Sequence, residues 1–329
     1  MSLFSALHGV GSVFYSNLFV TLPYPESQEG LSEQTIIVTG SNTGLGFEAS
    51  QHLLRLGVNK LIMGVRDLEK GKKAREQLLQ ATKRSPDSVE VWHLDMASYD
   101  SVKDFAKRAN TTLTRLDAVL ANAGMLTMEF KLTEDNETTI TVNVVATFLL
   151  YFLLLPKLRE SPVLGKFVIP NSGMHYWAPI KELVPKDNET IFSRLNDPKR
   201  ADMGSRYQVT KLLVIYVTRE LASRMKASGK KAIVINTPNP SYCKSDLLRE
   251  GVPGTPPDFL ARSTEMGSRA LVHGVLAGSE SSGHYLSNCH NQNPASHVTN
   301  KMGARIQLAF FEELMEKMES ISPGISSSL

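Results

Sequence analysis

Tyr207 and Lys211 lie one helical turn apart in the stretch "SRYQVTKLLV". On a helix, positions i and i+4 share a face, so a phenol and an ammonium can converge on one point. A free phenol titrates near 10, and only about one in a thousand is ionised at pH 7. An adjacent ammonium favours the phenolate and brings the group closer to the working range of an acid–base catalyst. With nine tyrosines in the chain, such a spacing also arises by chance, so the pair needs support from elsewhere. A second constellation is "TGSNTGLG", where Gly40, Gly44 and Gly46 have G-x-x-x-G-x-G spacing. Glycines permit tight turns and close backbone approach, and a helix N-terminus just beyond them attracts a pyrophosphate. A third is "GVRD". A site selective for NAD wants a carboxylate near here for the ribose 2′-hydroxyl. Val65 stands there instead, nineteen residues after Gly46, and Arg66 follows. A guanidinium suits a 2′-phosphate, which it can grip with two hydrogen bonds. The competing reading is a solvated loop arginine with Asp67 as its neighbour.

These residues need a scaffold, and the pattern from residue 35 supplies one. "TIIVT", "KLIMGV", "VEVWHLD", "LDAVLANAG", "GKFVIPNS" and "KAIVINTP" read as strands. Between them lie stretches of helical spacing, among them "GFEASQHLLRLG", "LEKGKKAREQLLQATKR" and "NVVATFLLYFLLLPKL". Alternating strands and helices imply a parallel sheet covered on both faces, closed by right-handed crossovers into a doubly wound Rossmann-type α/β fold. The expected organisation is an N-terminal arm over residues 1–33 and a single domain over 34–329. Two stretches break the rhythm. Residues 173–203 form an insertion without clear period, read as a mobile flap over the substrate end or a rigid surface excursion. Residues 246–299 read as irregular, and an amphipathic helix closes the chain.

Composition narrows the class. At 42% hydrophobic and 21% charged, the 329 residues resemble an ordinary soluble globular protein. A net charge of +3 without a Lys/Arg block argues against a nucleic-acid partner. Two cysteines make no disulfide framework, and a reducing setting such as the cytoplasm is the simplest. The apolar start "LFSALHGVGSVFYSNLFV" carries His8, Gly9, Gly11 and Asn17 and falls short of a spanning helix. It reads as an arm packed on the core or a partner, with interfacial membrane contact as the alternative. His284, Cys289, His290 and His297 lack the paired spacing of zinc sites, so no metal is expected. His175 and Tyr176 read equally as substrate contacts or packing, and Trp177 as wall or lid core.

Six elements now stand in a fixed order: "TGSNTGLG", "LDM" with Asp95, "NAG" from Asn122 to Gly124, Asn143 in "TVNVVA", Ser172 in "IPNSG", and "YQVTK". Over about residues 35–250 the chain resembles the short-chain dehydrogenase/reductase family. It looks most like the retinol-dehydrogenase-like branch and is similar to fungal reductases of secondary metabolism. The resemblance implies a catalytic set of Asn143, Ser172, Tyr207 and Lys211. Ser172 would hydrogen-bond the substrate carbonyl, Tyr207 would pass the proton, Lys211 would hold the ribose and lower the Tyr207 pKa, and Asn143 would organise a water. It implies cofactor contacts from Gly40, Asn42, Thr43, Gly44, Leu45 and Gly46. Asp95 and Met96 would meet adenine, and Asn122, Ala123 and Gly124 would line the cleft. Pro240, Tyr242 and Ser245 would face the nicotinamide, together with Tyr207 and Lys211. One departure stands out: Ser241 occupies a position where the family usually has glycine, and Ser245 replaces a threonine. The implied activity is NADP(H)-dependent reduction of a ketone or aldehyde on an apolar small molecule. Alternatives on the same fold are a dehydratase, epimerase or cyclase, or a non-catalytic NADP sensor. A homodimer is left open by the sequence.

Overall fold

The computed structural model describes residues 3–244, 247 and 257–329. Ser245, an expected cofactor contact, lies outside the described residues. The framework is an eight-stranded sheet. Its strands are β1 (Thr35–Thr39), β2 (Lys60–Val65), β3 (Val89–His93), β4 (Ala118–Leu120), β7 (Lys166–Val168), β8 (Val234–Asn239), β9 (Tyr285–Ser287) and β10 (His290–Gln292). The order is β10-β9-β8-β7-β4-β1-β2-β3, and every pair but β9–β10 is parallel. All of "TIIVT" in β1 is buried, because parallel strands are covered on both faces and read as continuous apolar runs. The chain reverses its winding between β1 and β4, where the carboxyl ends of the strands open a crevice. A short hairpin of β5 (Leu132–Thr133) and β6 (Asn136–Glu137) flanks it.

Helices α2 (Gly44–Arg55), α3 (Leu68–Thr82) and α9 (Thr264–Leu276) cover one face, burying Leu53, Leu78, Leu271 and Val272. On the other face lie α4 (Tyr99–Thr112), α6 (Ala146–Glu160) and α8 (Met203–Ala227), around Phe105, Phe148, Phe167 and Leu213. The short α5 (Thr138–Ile140) runs into α6 through one π-turn over Thr141–Val145. Together, Thr138–Glu160 is long and apolar enough to span a bilayer, yet 94% of its most apolar window is buried in the protein's own core. Helix α11 (Lys301–Ile321), preceded by the single turn α10 (Ser296–Thr299), adds a further layer over α8 through Phe310, Phe311 and Leu314.

Two segments differ from the sequence expectation, and the N-terminal arm packs on the body as expected. The stretch 246–299, expected to be irregular, contains α9, β9, β10 and α10. Its glycines mislead because they serve helix packing. A Cβ at Gly274 would lie 2.9 Å from Pro238 Cγ, and one at Gly267 would collide with Cys243 Sγ. The N-terminal arm is a helix, α1 (Leu3–Phe19), seated against residues 173–177.

The insertion 173–203 is docked rather than loose. It contains a 3₁₀ turn (Gly173–Trp177) and the short helix α7 (Ile191–Leu195). The Glu313 carboxylate of α11 accepts from the backbone N–H groups of Ile191 (2.8 Å) and Phe192 (3.1 Å), satisfying the first turn of α7. Phe192 packs on Phe310 with ring centres 5.2 Å apart. The buried Arg194 guanidinium donates to the carbonyls of Glu182, Val184 and Glu189, lacing the loop together. Leu183, Ile191, Phe192 and Leu195 therefore belong to the main core rather than to a mobile flap. Phe192→Ala should cost about 3–5 kcal/mol in chemical denaturation, and amides of 183–195 should exchange slowly in the ligand-free protein. Rapid exchange there would show that the segment is not docked.

Candidate active site

The crevice at the carboxyl end of the sheet holds a cleft of about 1520 Å³. Pockets for one small ligand span roughly 300–1,000 Å³, so this one has room for two molecules side by side. At its floor, Gly40 and Gly44 adopt left-handed backbone (φ 63° and 59°). A Cβ on Gly46 would lie 2.5 Å from the Gly40 carbonyl oxygen and collide with Asn122 Nδ2. The loop thus reaches a closeness that only glycine permits, and α2 begins at Gly44 with its N-terminus toward the cleft. Asn122 holds this geometry by donating to the carbonyls of Thr39 (3.1 Å) and Gly40 (3.2 Å), while Ala123 N–H donates to Thr39 Oγ1 (2.8 Å). Asn42, Thr43, Leu45 and Gly124 complete this part of the lining.

Arg66 follows β2 directly, is exposed, and lines the cleft. The neighbouring Asp67 forms no ion pair with Arg66: its carboxylate caps α3 by accepting from Lys70 N–H (3.0 Å) and pairs with Lys70 Nζ (3.7 Å). The cap holds the Asp67 pKa below the ordinary range. Lys70, Lys73 and Gln77 also line this end. Sequence reasoning missed them, although positions 66, 70, 73 and 77 repeat at helical spacing. Asp95 and Met96 sit beside them; Asp95 Oδ1 accepts from Ala97 N–H (2.9 Å), fixing the turn after β3.

The four residues expected to do chemistry converge at the other end. Tyr207, Lys211 and Ser172 line the cleft. Lys211 Nζ donates to the Pro170 carbonyl (2.8 Å) and lies 5.4 Å from the centre of the Tyr207 ring. Burial lowers its pKa to about 8. The Tyr207 hydroxyl hydrogen-bonds Ser172, which lowers its pKa, but burial outweighs this and pushes it well above 10. The expected lowering by Lys211 does not appear: the ammonium is turned to Pro170, and removal from water dominates. Asn143 sits in the π-turn, a feature frequent at functional sites. Its side chain brackets Met125, accepting from N–H (2.9 Å) and donating to C=O (2.8 Å), and also donates to Thr210 Oγ1 (3.2 Å).

Several supporting residues escaped the sequence reading. Asn171 Nδ2 donates to the Lys211 carbonyl (3.2 Å) and its Oδ1 accepts from Ser172 N–H (2.7 Å), fixing Ser172 relative to α8. His175 is packing, not a substrate contact. It is fully buried, with Nδ1 2.8 Å from the Ser172 carbonyl and Nε2 accepting from Ala295 N–H (3.1 Å). Those partners assign the neutral Nδ1–H form. Tyr176 is likewise buried, whereas Trp177 and Met174 face the cleft. Val13 and Phe14 of α1 join them, so the arm forms part of the wall. Pro240 and Tyr242 line the loop after β8, and Ser241 adopts φ 65°. A non-glycine residue in that region is strained by roughly 1–2 kcal/mol. Of the His/Cys decoy, Cys289 and His297 are buried and His290 is exposed. Among the described residues no His, Cys, Asp and Glu cluster could hold a metal ion.

The glycine floor, the cleft and the Tyr–Lys–Ser–Asn grouping occur together on a doubly wound sheet. Residues 34–175 match the short chain dehydrogenase family. The chain is 41% identical over 328 residues to a short chain dehydrogenase/reductase of Cryptosporiopsis sp., spanning 95% of this chain and 98% of that one. The protein belongs to the short-chain dehydrogenase/reductase family. A short-chain dehydrogenase of Penicillium roqueforti is 40% identical over 332 residues, covering 95% of this chain and 84% of its own. Among solved structures, a protein from Mycobacterium paratuberculosis superposes with a TM-score of 0.67 at 22% identity, over 90% of this chain and 95% of its own. A Shigella flexneri short chain dehydrogenase, complexed with NADP, gives 0.57 at 20%, over 80% and 99%. The family is one of oxidoreductases, and its fold binds a nicotinamide cofactor.

The pH dependence follows from Lys211. Its pKa is depressed, so the ammonium is charged below about pH 8 and lost above it. In the ligand-free enzyme kcat/KM for the cofactor should fall as pH rises through about 8, and Lys211→Met should abolish that limb. A flat profile from pH 6 to 10 would exclude Lys211 as the titrating group.

Proposed function

We propose that this protein is an NADPH-dependent reductase of a ketone or aldehyde on an apolar small molecule of polyketide-, retinoid- or steroid-like character. The observation that carries the cofactor choice is the exposed Arg66 on the cleft rim, with Lys70 and Lys73 beside it and no carboxylate at position 65. Arg66, Lys70 and Lys73 outnumber the two carboxylates, Asp67 and Asp95, at this end of the cleft, and a guanidinium can grip a 2′-phosphate with two charge-assisted hydrogen bonds. When bound, the cofactor supplies the hydride.

The chain's own residues supply the rest. The glycine floor and the N-terminus of α2 receive the pyrophosphate. Asn122 and Gly124 line the ribose region, and Lys211 holds the ribose by hydrogen bonding. Ser172 donates to the substrate oxygen and orients it toward Tyr207. Tyr207 then gives that oxygen its proton. The phenol is protonated at neutral pH, as a proton donor must be, although burial in the ligand-free protein raises its pKa and makes it a weaker acid. Val13, Phe14, Met174 and Trp177 form an apolar wall that favours a lipophilic substrate and keeps water from the reacting carbon. The fungal relatives are in keeping with a role in secondary metabolism.

Tyr207→Phe should retain NADPH binding and lose turnover by about a hundredfold or more. The product of incubation with deuterated NADPH and a panel of apolar carbonyls should carry deuterium at the new alcohol carbon. Product without transferred deuterium would point instead to a dehydratase, epimerase or cyclase. In equilibrium titrations NADPH should bind at least about tenfold more tightly than NADH, and Arg66→Ala should narrow that gap. Equal affinities in the unsubstituted protein would remove the NADPH assignment.

A further inference from the structure

The loop after β8 carries a residue that ought not to be comfortable there. Ser241 takes a left-handed backbone at φ 65°, where a glycine costs nothing. Its neighbours explain how it is held. Its own N–H donates to Asn239 Oδ1 (2.9 Å), and its hydroxyl donates to Oδ1 of Asn17 (2.5 Å), more than two hundred positions away on α1. The Asn17 amide in turn donates to the carbonyls of Tyr242 (2.7 Å) and Leu260 (2.6 Å). Asn17 therefore spends its whole carboxamide on the two strands of chain that frame this loop.

A second group ties the same pieces together. Arg262 is buried, and its guanidinium donates to the Pro240 carbonyl (3.2 Å), to the Ser16 and Val20 carbonyls at the end of α1 (2.6 and 3.2 Å), and to Asn288 Oδ1 (3.0 Å). A cation at a helix C-terminus is electrostatically well placed. Asn288 closes the circuit by donating to Ser16 Oγ (2.9 Å). The same helix carries Val13 and Phe14 into the cleft wall. The N-terminal helix thus reaches the substrate end through its apolar residues and the Pro240–Tyr242 loop through Asn17.

We propose that Asn17 is a positioning residue for the cofactor loop: it holds Ser241 in the left-handed conformation, so that α1 acts as a latch on the nicotinamide end of the cleft. The inference rests on the cleft being a nicotinamide dinucleotide site. In this chain a hydrogen-bonded serine and a helix from the N-terminus do what an unrestrained glycine would do alone.

The test is a double-mutant cycle read by equilibrium binding of NADPH or NADH, whichever the unsubstituted protein binds more tightly, with thermal unfolding as a parallel measurement. Asn17→Ala should weaken cofactor binding by about tenfold when Ser241 is present. In the S241G background the same substitution should cost less than about threefold, because the strain that Asn17 offsets is gone. Equal losses in both backgrounds, or unchanged affinity in Asn17→Ala, would overturn the latch. A lowered melting temperature with unchanged affinity would also overturn it, since Asn17 would then only help hold α1 to the body. If the unsubstituted protein binds neither dinucleotide, the reading of the cleft falls, and the latch with it. The affinity for the unsubstituted protein therefore separates failure of that reading from failure of the latch.

Discussion

The chemistry end of this protein depends on one ammonium kept out of water. Lys211 is buried, and its described partner is the Pro170 carbonyl at 2.8 Å. An unpaired buried charge costs several kcal/mol, about what a small domain can spare. The surrounding elements are arranged so that the cost is bearable and the charge stays in place. β7 runs into Pro170 and delivers the carbonyl. Asn171, the next residue, reaches across to the Lys211 backbone and holds Ser172 with its other end. His175 receives the Ser172 carbonyl from below and is locked by Ala295. From the opposite side Asn143 straps the loop after β4 to Thr210, adjacent to Lys211. All but the Asn143–Thr210 bond are directed at backbone groups, and together they hold the Lys211 surroundings in one geometry.

Much of this arrangement can be read from sequence, for a physical reason. The parallel strands are buried on both faces, so "TIIVT" and "KLIMGV" announce themselves as apolar runs. The glycine floor is legible because a Cβ at Gly46 would collide with the Gly40 carbonyl, and one at Gly40 would be strained on a left-handed backbone. Tyr207 and Lys211 are legible because a helix fixes their mutual direction. What stays hidden are residues whose importance comes from distant partners. Nothing local marks Asn17 or Arg262: the partners of Asn17 lie more than two hundred residues away, and those of Arg262 lie between 22 and 246 residues away. Helix α9 is hidden for a different reason: Gly267 and Gly274 look like breakers, yet they permit close packing on the Cys243 and Pro238 segments. The insertion misleads in turn, because its aperiodic, proline-bearing chain resembles a lid. Its order comes from Glu313 and Phe310 on a helix more than a hundred residues later.

The two ends of the cleft use positive charge under opposite conditions. Arg66, Lys70 and Lys73 are exposed, so any phosphate they meet is felt through water and screened by salt within about 10 Å at 0.1 M. Lys211 works in the dry interior, where salt has little reach and its own ionisation is in question near pH 8. Ionic strength therefore acts on the exposed cationic end of the cleft, whereas pH near 8 acts on Lys211. The separation has a structural origin. The cationic rim lies at the end of β2 and on the first turns of α3, on exposed chain. Tyr207 and Lys211 lie on α8 and are buried against the sheet, with Ser172 on the turn that follows β7. The exposed and the buried positive charges thus sit on different elements, with the glycine floor between them.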